Sequence, residues 1–284
     1  MPIVLATFNV KDLFEPEPAK LDNLARFFAE MGADVVGLQE VGSEASLAAL
    51  LARVPELGYT ERVVGTADAR GIRNVLVSRL PVVTSRVHTA AVLDFPRFSV
   101  IDPPPFGTRI PLRRGVPYAR VRAPSTGDVD IFVAHFKSGR PVLELDGNGA
   151  PIEPRTERER AAGDLRALVW RASEALFVRS LVDEVLVADP LAKVAVVGDL
   201  NDTLASLPVR VVCGTSLLPC AVGHSILHGN VFAQIDHVLA SVPLAQRVQE
   251  ARFLNESLRD HSALEPNDLP TADSDHAPVV VRFG

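Results

Sequence analysis

Ile3-Val4-Leu5-Ala6-Thr7-Phe8-Asn9 is an almost unbroken apolar run that ends on an amide. A strand with one wet face alternates apolar and polar residues; a run apolar at nearly every position fits a central strand covered on both sides. Such a strand needs a layer above and a layer below, and the sequence that follows supplies both kinds. Leu21, Leu24, Phe28 and Met31 recur at helical spacing, and Gly32 stands where that helix must stop. Val35-Val36-Gly37-Leu38-Gln39 reads as a second buried strand with Glu40 at its C-terminal end, and a short helix is expected from about Ser43 to Arg53.

Farther along, Asn74 to Ser78 and Val82 to Val87 read as a strand pair joined by a turn at Pro81. Asp94 to Pro117 is rich in proline and carries Arg97, Arg109, Arg113 and Arg114, which suits a long loop returning to a strand at Tyr118 to Val121. Val129 to Phe136 is another buried strand, with His135 near its end. Thr156 and Glu159 have the spacing of a capping box, opening a helix whose apolar positions run from Leu165 to Val185; the charges from Arg155 to Arg160 fit its solvated face. Strands follow at Val194 to Val197, Gln234 to Ala240 and Pro278 to Phe283. Without a linker, a repeat or a low-complexity tract, residues 1–284 read as one domain, an α/β fold of two packed mixed sheets with helices outside. Periodicity alone does not separate this from a three-layer α/β fold.

The composition bounds the function. Hydrophobic residues make up 47% of the 284, enough for a large core, and the net charge of −6 argues against a surface that grips nucleic acid throughout. An anionic substrate is still compatible, because a bound cation or a local cluster of arginines can dominate one cleft. The two cysteines, Cys213 and Cys220, lack the spacing of a redox or zinc pair and are expected to be free. The N-terminal run has no basic leader, and no apolar run approaches the ~20 residues that span a bilayer. The expected location is the cytoplasm, with no obligate protein partner evident.

Polar residues punctuate the ends of the apolar runs: Asn9, Glu40, His135, Asp199, Asn201, Asp236, and the pair Asp275-His276. Carboxylates there are costly if buried unpaired, and a divalent cation would resolve the cost by gathering them around one positive centre. Oxygen donors without cysteine favour a hard ion, Mg²⁺ or Mn²⁺. Each residue alone has a plainer explanation. Asp199 and Asn201 could cap a turn, His135 could be an interior histidine, and Ser274-Asp275-His276 an ordinary bend.

In their order along the chain, however, they resemble the endonuclease/exonuclease/phosphatase superfamily, which includes DNase I-like and exonuclease III-like enzymes. The likeness rests on Thr7-Phe8-Asn9-Val10, Leu38-Gln39-Glu40-Val41, Ala134-His135-Phe136-Lys137-Ser138, Gly198-Asp199-Leu200-Asn201, Gln234-Ile235-Asp236-His237-Val238-Leu239 and Ser274-Asp275-His276-Ala277-Pro278. The resemblance implies a four-layer α/β/β/α sandwich with its site where strand ends meet. It implies Glu40 as principal metal ligand with Asn9 and Asp275 close by, and Asp199 and Asn201 facing the attacking water and the phosphate. His276 and Asp236 would form a dyad, and His135 would stabilise the transition state. Arg114 resembles a phosphate-contacting position, although Gly115 departs from the proline many relatives carry there; Lys137 is a second candidate for substrate binding. Either Asp199 or the His276–Asp236 pair could be the general base.

The function expected is a divalent-metal-dependent phosphoester hydrolase, foremost a phosphodiesterase or nuclease, with a phosphoester substrate and nucleic acid among the candidates. One alternative keeps the site and changes the substrate to a small molecule or phospholipid head group, with the loop from Asp94 to Pro117 as a lid. The other is a non-catalytic binding protein on the same scaffold.

Overall fold

The computed structural model describes residues 2–264 and 272–284. The opening run becomes β1 (Ile3–Leu13), flanked on one edge by a parallel β2 (Val35–Val41) and on the other by an antiparallel β16 (Val279–Phe283). β3 (Glu61–Val64), β4 (Arg73–Ser78) and β15 (Val248–Phe253) complete a six-stranded mixed sheet in the order β15-β16-β1-β2-β4-β3. A second mixed sheet of six contains β5 (Val82–His88), β6 (Val116–Ala123), β7 (Gly127–His135), β10 (Val194–Asp199), β11 (Leu217–Pro219) and β14 (Asp236–Ser241). Its order is β11-β14-β10-β7-β6-β5. Two small hairpins lie outside the sheets: β8 (Glu144–Leu145) with β9 (Pro151–Ile152), and β12 (Ile226–His228) with β13 (Val231–Ala233).

The side chains of β1 show why the run had to be apolar throughout. Ile3 and Leu5 point into a layer shared with Val129, Ile131, Val133, Ala195 and Val197 of the facing sheet. Val4, Ala6 and Phe8 point the other way, onto α1 (Pro18–Met31) and α2 (Glu44–Leu51), where Leu21, Leu24, Phe28 and Met31 cover them. On the far side of the second sheet, Phe132, Val194 and Val196 pack under α3 (Glu157–Ala188) and α4 (Leu207–Cys213). The order helix, sheet, sheet, helix is therefore the four-layer α/β/β/α sandwich. Each fully buried Phe or Leu in these layers contributes roughly 1.5–3 kcal/mol.

The helix ends follow the expected chemistry. Gly32 takes φ 54, and its N–H reaches Phe28 O, closing α1. Ser43 caps α2, and Thr156 with Glu159 forms the capping box of α3. A short α5 (Val242–Ala245) follows β14.

One expectation is corrected. β4 and β5 are not a pair: β4 lies between β2 and β3, and β5 pairs with β6 in the other sheet. Pro81 marks the crossing between sheets. Two short runs separated by a turn signal carry no information about which sheet each will join. Sequence reasoning also does not find the edge strands β3 and β15 or the helix α4. β15 is Val-Gln-Glu-Ala-Arg-Phe, largely exposed, so it lacks the apolar run by which the central strands are recognised.

Candidate active site

Strand direction brings the polar residues together. β1 and β2 run parallel, so Asn9 and Glu40 reach the same end of the first sheet. β7 and β10 also run parallel, and His135 stands opposite Asp199. β14 runs against β10, which places its first residue, Asp236, opposite Asp199 as well. β16 runs against β1, so Asp275 and His276, just before it, arrive at the rim where β1 ends. An isolated bridge between Ile226 and His276 fixes this approach.

The half of the rim gathered around Asp199 is buried and densely bonded. His276 Nδ1 lies 2.8 Å from Asp236 Oδ2, and its Nε2 lies 3.9 Å from Asp199 Oδ2. His135 Nε2 is 3.4 Å from the same Asp199 oxygen, to which Asn9 Nδ2 donates at 3.0 Å. Asn201 takes φ 53; its N–H donates to Asp199 Oδ1, and its side-chain amide donates to Phe136 O at 3.0 Å. Gly198 precedes Asp199 with φ 148, and a Cβ there would lie 1.8 Å from Ala134 O. Only glycine lets β10 approach β7 closely enough to set Asp199 beside His135.

Ligand atoms of Asp199, Asp236 and His276 lie within 4.8 Å of one another, close enough to share an ion. Protons can also settle that cluster. Burial and the nearby Asp236 charge push the Asp199 carboxyl up to about 7. Burial alone would lower His276, but the Asp236 and Asp199 charges outweigh it and raise it to about 10. Burial, with Arg114 and His276 nearby, holds His135 well below its ordinary value, so it is neutral at pH 7.

The other half is more open. Lys11 and Asp12 take φ 47 and 46, forming a left-handed turn after β1's apolar stretch. Glu40, also left-handed at φ 63, accepts from Asp12 N at 3.1 Å. Lys11 Nζ donates to Asp275 Oδ2 at 2.8 Å and lies 2.8 Å from His261 Nδ1. Glu40 thus binds the backbone of this turn, and Asp275 the end of the Lys11 side chain that the turn carries. An ammonium already rests against Asp275, so the spot attracts positive charge, and the oxygen donors around it suit a hard divalent ion.

Arg114 and Lys137 are drawn inward. The Arg114 guanidinium, 4% exposed, donates to Phe136 O at 3.0 Å and lies 3.6 Å from Asp68. Lys137 Nζ donates to Ser138 O and Arg140 O, and the Lys137 N–H donates to buried Glu174 at 2.6 Å. Both cations hold the segment after β7 in place.

Several contributors escape sequence reading. Ser225 Oγ accepts from the N–H groups of Ile235 and Asp236, and Ser274 Oγ donates to Asn9 O at 2.7 Å while accepting from His276 N. Lys11, His261 and Glu174 belong with them. Only Lys11, two residues beyond Asn9, carries a signal: a charge continuing a buried strand. The cysteines are free, and His224 packs against Phe232 with ring centroids 4.5 Å apart. No described helix is long and apolar enough to cross a membrane.

Comparison with known proteins agrees with this architecture. An endonuclease/exonuclease/phosphatase family protein from Bacteroides thetaiotaomicron superposes with a TM-score of 0.63 at 17% identity, covering 100% of this chain and 95% of its own. A mannosyl-6-phosphatase from the same organism gives 0.61 at 16% identity, with 98% of both chains covered. A 3′ phosphatase from Neisseria, bound to a product DNA hairpin, gives 0.60 at 18% identity, with 99% of both covered. No match was found among curated proteins. The Endonuclease/Exonuclease/phosphatase family model matches residues 6–276, and the chain belongs to that family.

Proposed function

We propose that the chain is a divalent-metal-dependent phosphodiesterase that cleaves by attack of water on phosphorus. The observation that carries this reading is the buried Asp236–His276–Asp199 cluster, joined through Asn9 to the turn at Lys11 and Asp12 that contacts Glu40 and Asp275. A divalent ion held by Glu40 and Asp275, with Asn9 beside them, would neutralise charge on the nonbridging oxygens when bound. Asp199, poised at about 7, accepts the proton of the attacking water. His276, kept cationic by Asp236, donates a charge-assisted hydrogen bond to a phosphoryl oxygen, and neutral His135 and Asn201 complete the donors around it. Asn9 and the N–H of Asn201 hold the Asp199 carboxylate in its orientation.

Nucleic acid is one candidate substrate. A second reading, a small or lipid-borne phosphoester, is favoured by the engagement of Arg114 and Lys137 with backbone carbonyls, which turns these two cations inward and away from a polyanion. The neighbouring folds serve both a sugar phosphate and DNA by name, as expected when function lies in the site and not the scaffold.

The test is hydrolysis of bis-p-nitrophenyl phosphate with Mg²⁺ or Mn²⁺, with chelator as control. Loss of turnover in Glu40→Ala and His276→Ala is expected; undiminished turnover in both removes the assignment. Steep salt dependence of DNA binding would support the nuclease form, and a flat response the small-substrate form.

A further inference from the structure

We propose that the loop between β5 and β6 is an interfacial anchor that docks the active rim onto an anionic phospholipid surface. The inference goes beyond the hydrolase reading and does not require it, because docking is measured without turnover. It begins with three side chains. Phe98, Val100 and Ile101 are 108%, 89% and 87% exposed, all within four residues. Single exposed apolar residues are ordinary, but a contiguous group this exposed marks an interaction site.

The tip is built rather than loose. Ser99 N–H donates to Asp102 Oδ2 at 2.9 Å, Asp102 N–H to Ser99 O at 3.1 Å, and Ile101 N–H to Ser99 Oγ at 3.4 Å. Arg97 spans the turn, donating to Asp102 O at 2.9 Å and Val100 O at 3.5 Å. Much of the tip's polar backbone is therefore satisfied internally while the apolar side chains face outward. That arrangement lowers the cost of entering a medium that offers no hydrogen bonds.

The stem fixes where the tip points. Phe95 and Phe106 meet edge to face at 5.1 Å, Leu93 N–H donates to Ile110 O, and Leu112 N–H donates to Ala90 O. Trp170 Nε1 donates to Pro111 O, tying the returning leg to α3. The loop leaves the sheet where β5 ends and β6 begins, and β6 runs against β7, so this is the end at which β7 presents His135. Tip and site share a rim.

Charge selects the kind of surface. The loop itself, residues 89–115, holds Arg97, Arg109 and Arg113 besides the buried Arg114, against Asp94 and Asp102, a local positive excess in a chain of net charge −6. An anionic bilayer complements both the cations and the apolar tip. Nucleic acid fits less well, because Val100 and Ile101 have no ring on which a base can stack.

The experiment is flotation of the full chain with vesicles of phosphatidylcholine alone, or with roughly a third phosphatidylglycerol. The chain should rise with the anionic vesicles, and a Phe98→Ser, Val100→Ser, Ile101→Ser variant should partition about a hundredfold more weakly. Arg109→Gln should lose about fivefold on anionic vesicles alone. Phe98→Trp should show blue-shifted emission on binding. Thermal unfolding of each variant should match the parent, showing that the fold survives. Failure of the parent to float, or equal flotation of the triple variant, overturns the proposal. So does concentration-dependent dimerisation abolished by the triple substitution without flotation, or single-stranded DNA binding lost in its place. If flotation fails while bis-p-nitrophenyl phosphate is still cleaved, only the anchor is refuted.

Discussion

The two halves of the rim handle charge in opposite ways. On the side of the second sheet, His135, Asp199 and Asp236 are all buried, and buried His276 reaches them from the segment before β16 to balance their charge. On the first, Glu40 is partly open, and Asp275 is balanced by a flexible lysine side chain. A closed cluster fixes proton positions before substrate arrives. An open one leaves carboxylates that an incoming cation can reach, provided it displaces an ammonium. Labour is divided accordingly: proton handling falls to the closed cluster, to which His276 is lent from the first sheet, and cation capture to the open turn after β1's apolar stretch.

The largest expected effect comes from breaking the closed half. His276→Ala should lower turnover of bis-p-nitrophenyl phosphate roughly a thousandfold while circular dichroism stays unchanged. A loss of less than about tenfold would remove His276 from the chemistry. On the open half, Glu40→Gln should weaken Mn²⁺ binding by at least ~tenfold in calorimetry, with little change in metal-free stability. Equal affinity would place the ion elsewhere, the Asp199, Asp236 and His276 cluster being the alternative. Lys11→Met should act in the opposite direction, tightening Mn²⁺ binding by about fivefold at low salt, because the competing ammonium is gone. Unchanged affinity would show that Lys11 yields at no cost.

The smallest effect is a slope. His276 rises from 6.5 to about 10 on folding, so its contribution to stability is complete below 6.5 and lost as pH climbs through 10. Asp199 rises from 3.8 to about 7, and its contribution disappears across that lower window with the same sign. The unfolding temperature of metal-free protein should therefore fall by several degrees between pH 6.5 and 10, and His276→Gln should flatten the fall. A flat parent profile would show that the buried cluster does not hold the extra proton.

How much of this is legible beforehand differs between backbone and site. Central strands announce themselves because both faces are buried, as in Ile3 to Phe8. The edge strand Val248–Phe253 does not, because half-exposed edges accept polar residues freely. The polar strand ends are visible as residues out of place in apolar runs. Their partners are not: Ser225 and Glu174 sit at positions where serine and glutamate are ordinary in sequence, and only the fold brings them to Asp236 and Lys137. Arg114 and Lys137 look like substrate cations in sequence, and only the fold shows that both also donate to backbone carbonyls.

The placement of β16 between β15 and β1 has a consequence for biosynthesis. A ribosome makes β1 long before β16, yet β1 has no partner on that edge until β16 arrives. Asp275 and His276 come with it. A nascent polypeptide that has not yet reached residue 276 therefore lacks both the histidine of the dyad and a closed first sheet, so the candidate site is assembled only after β16 has been made.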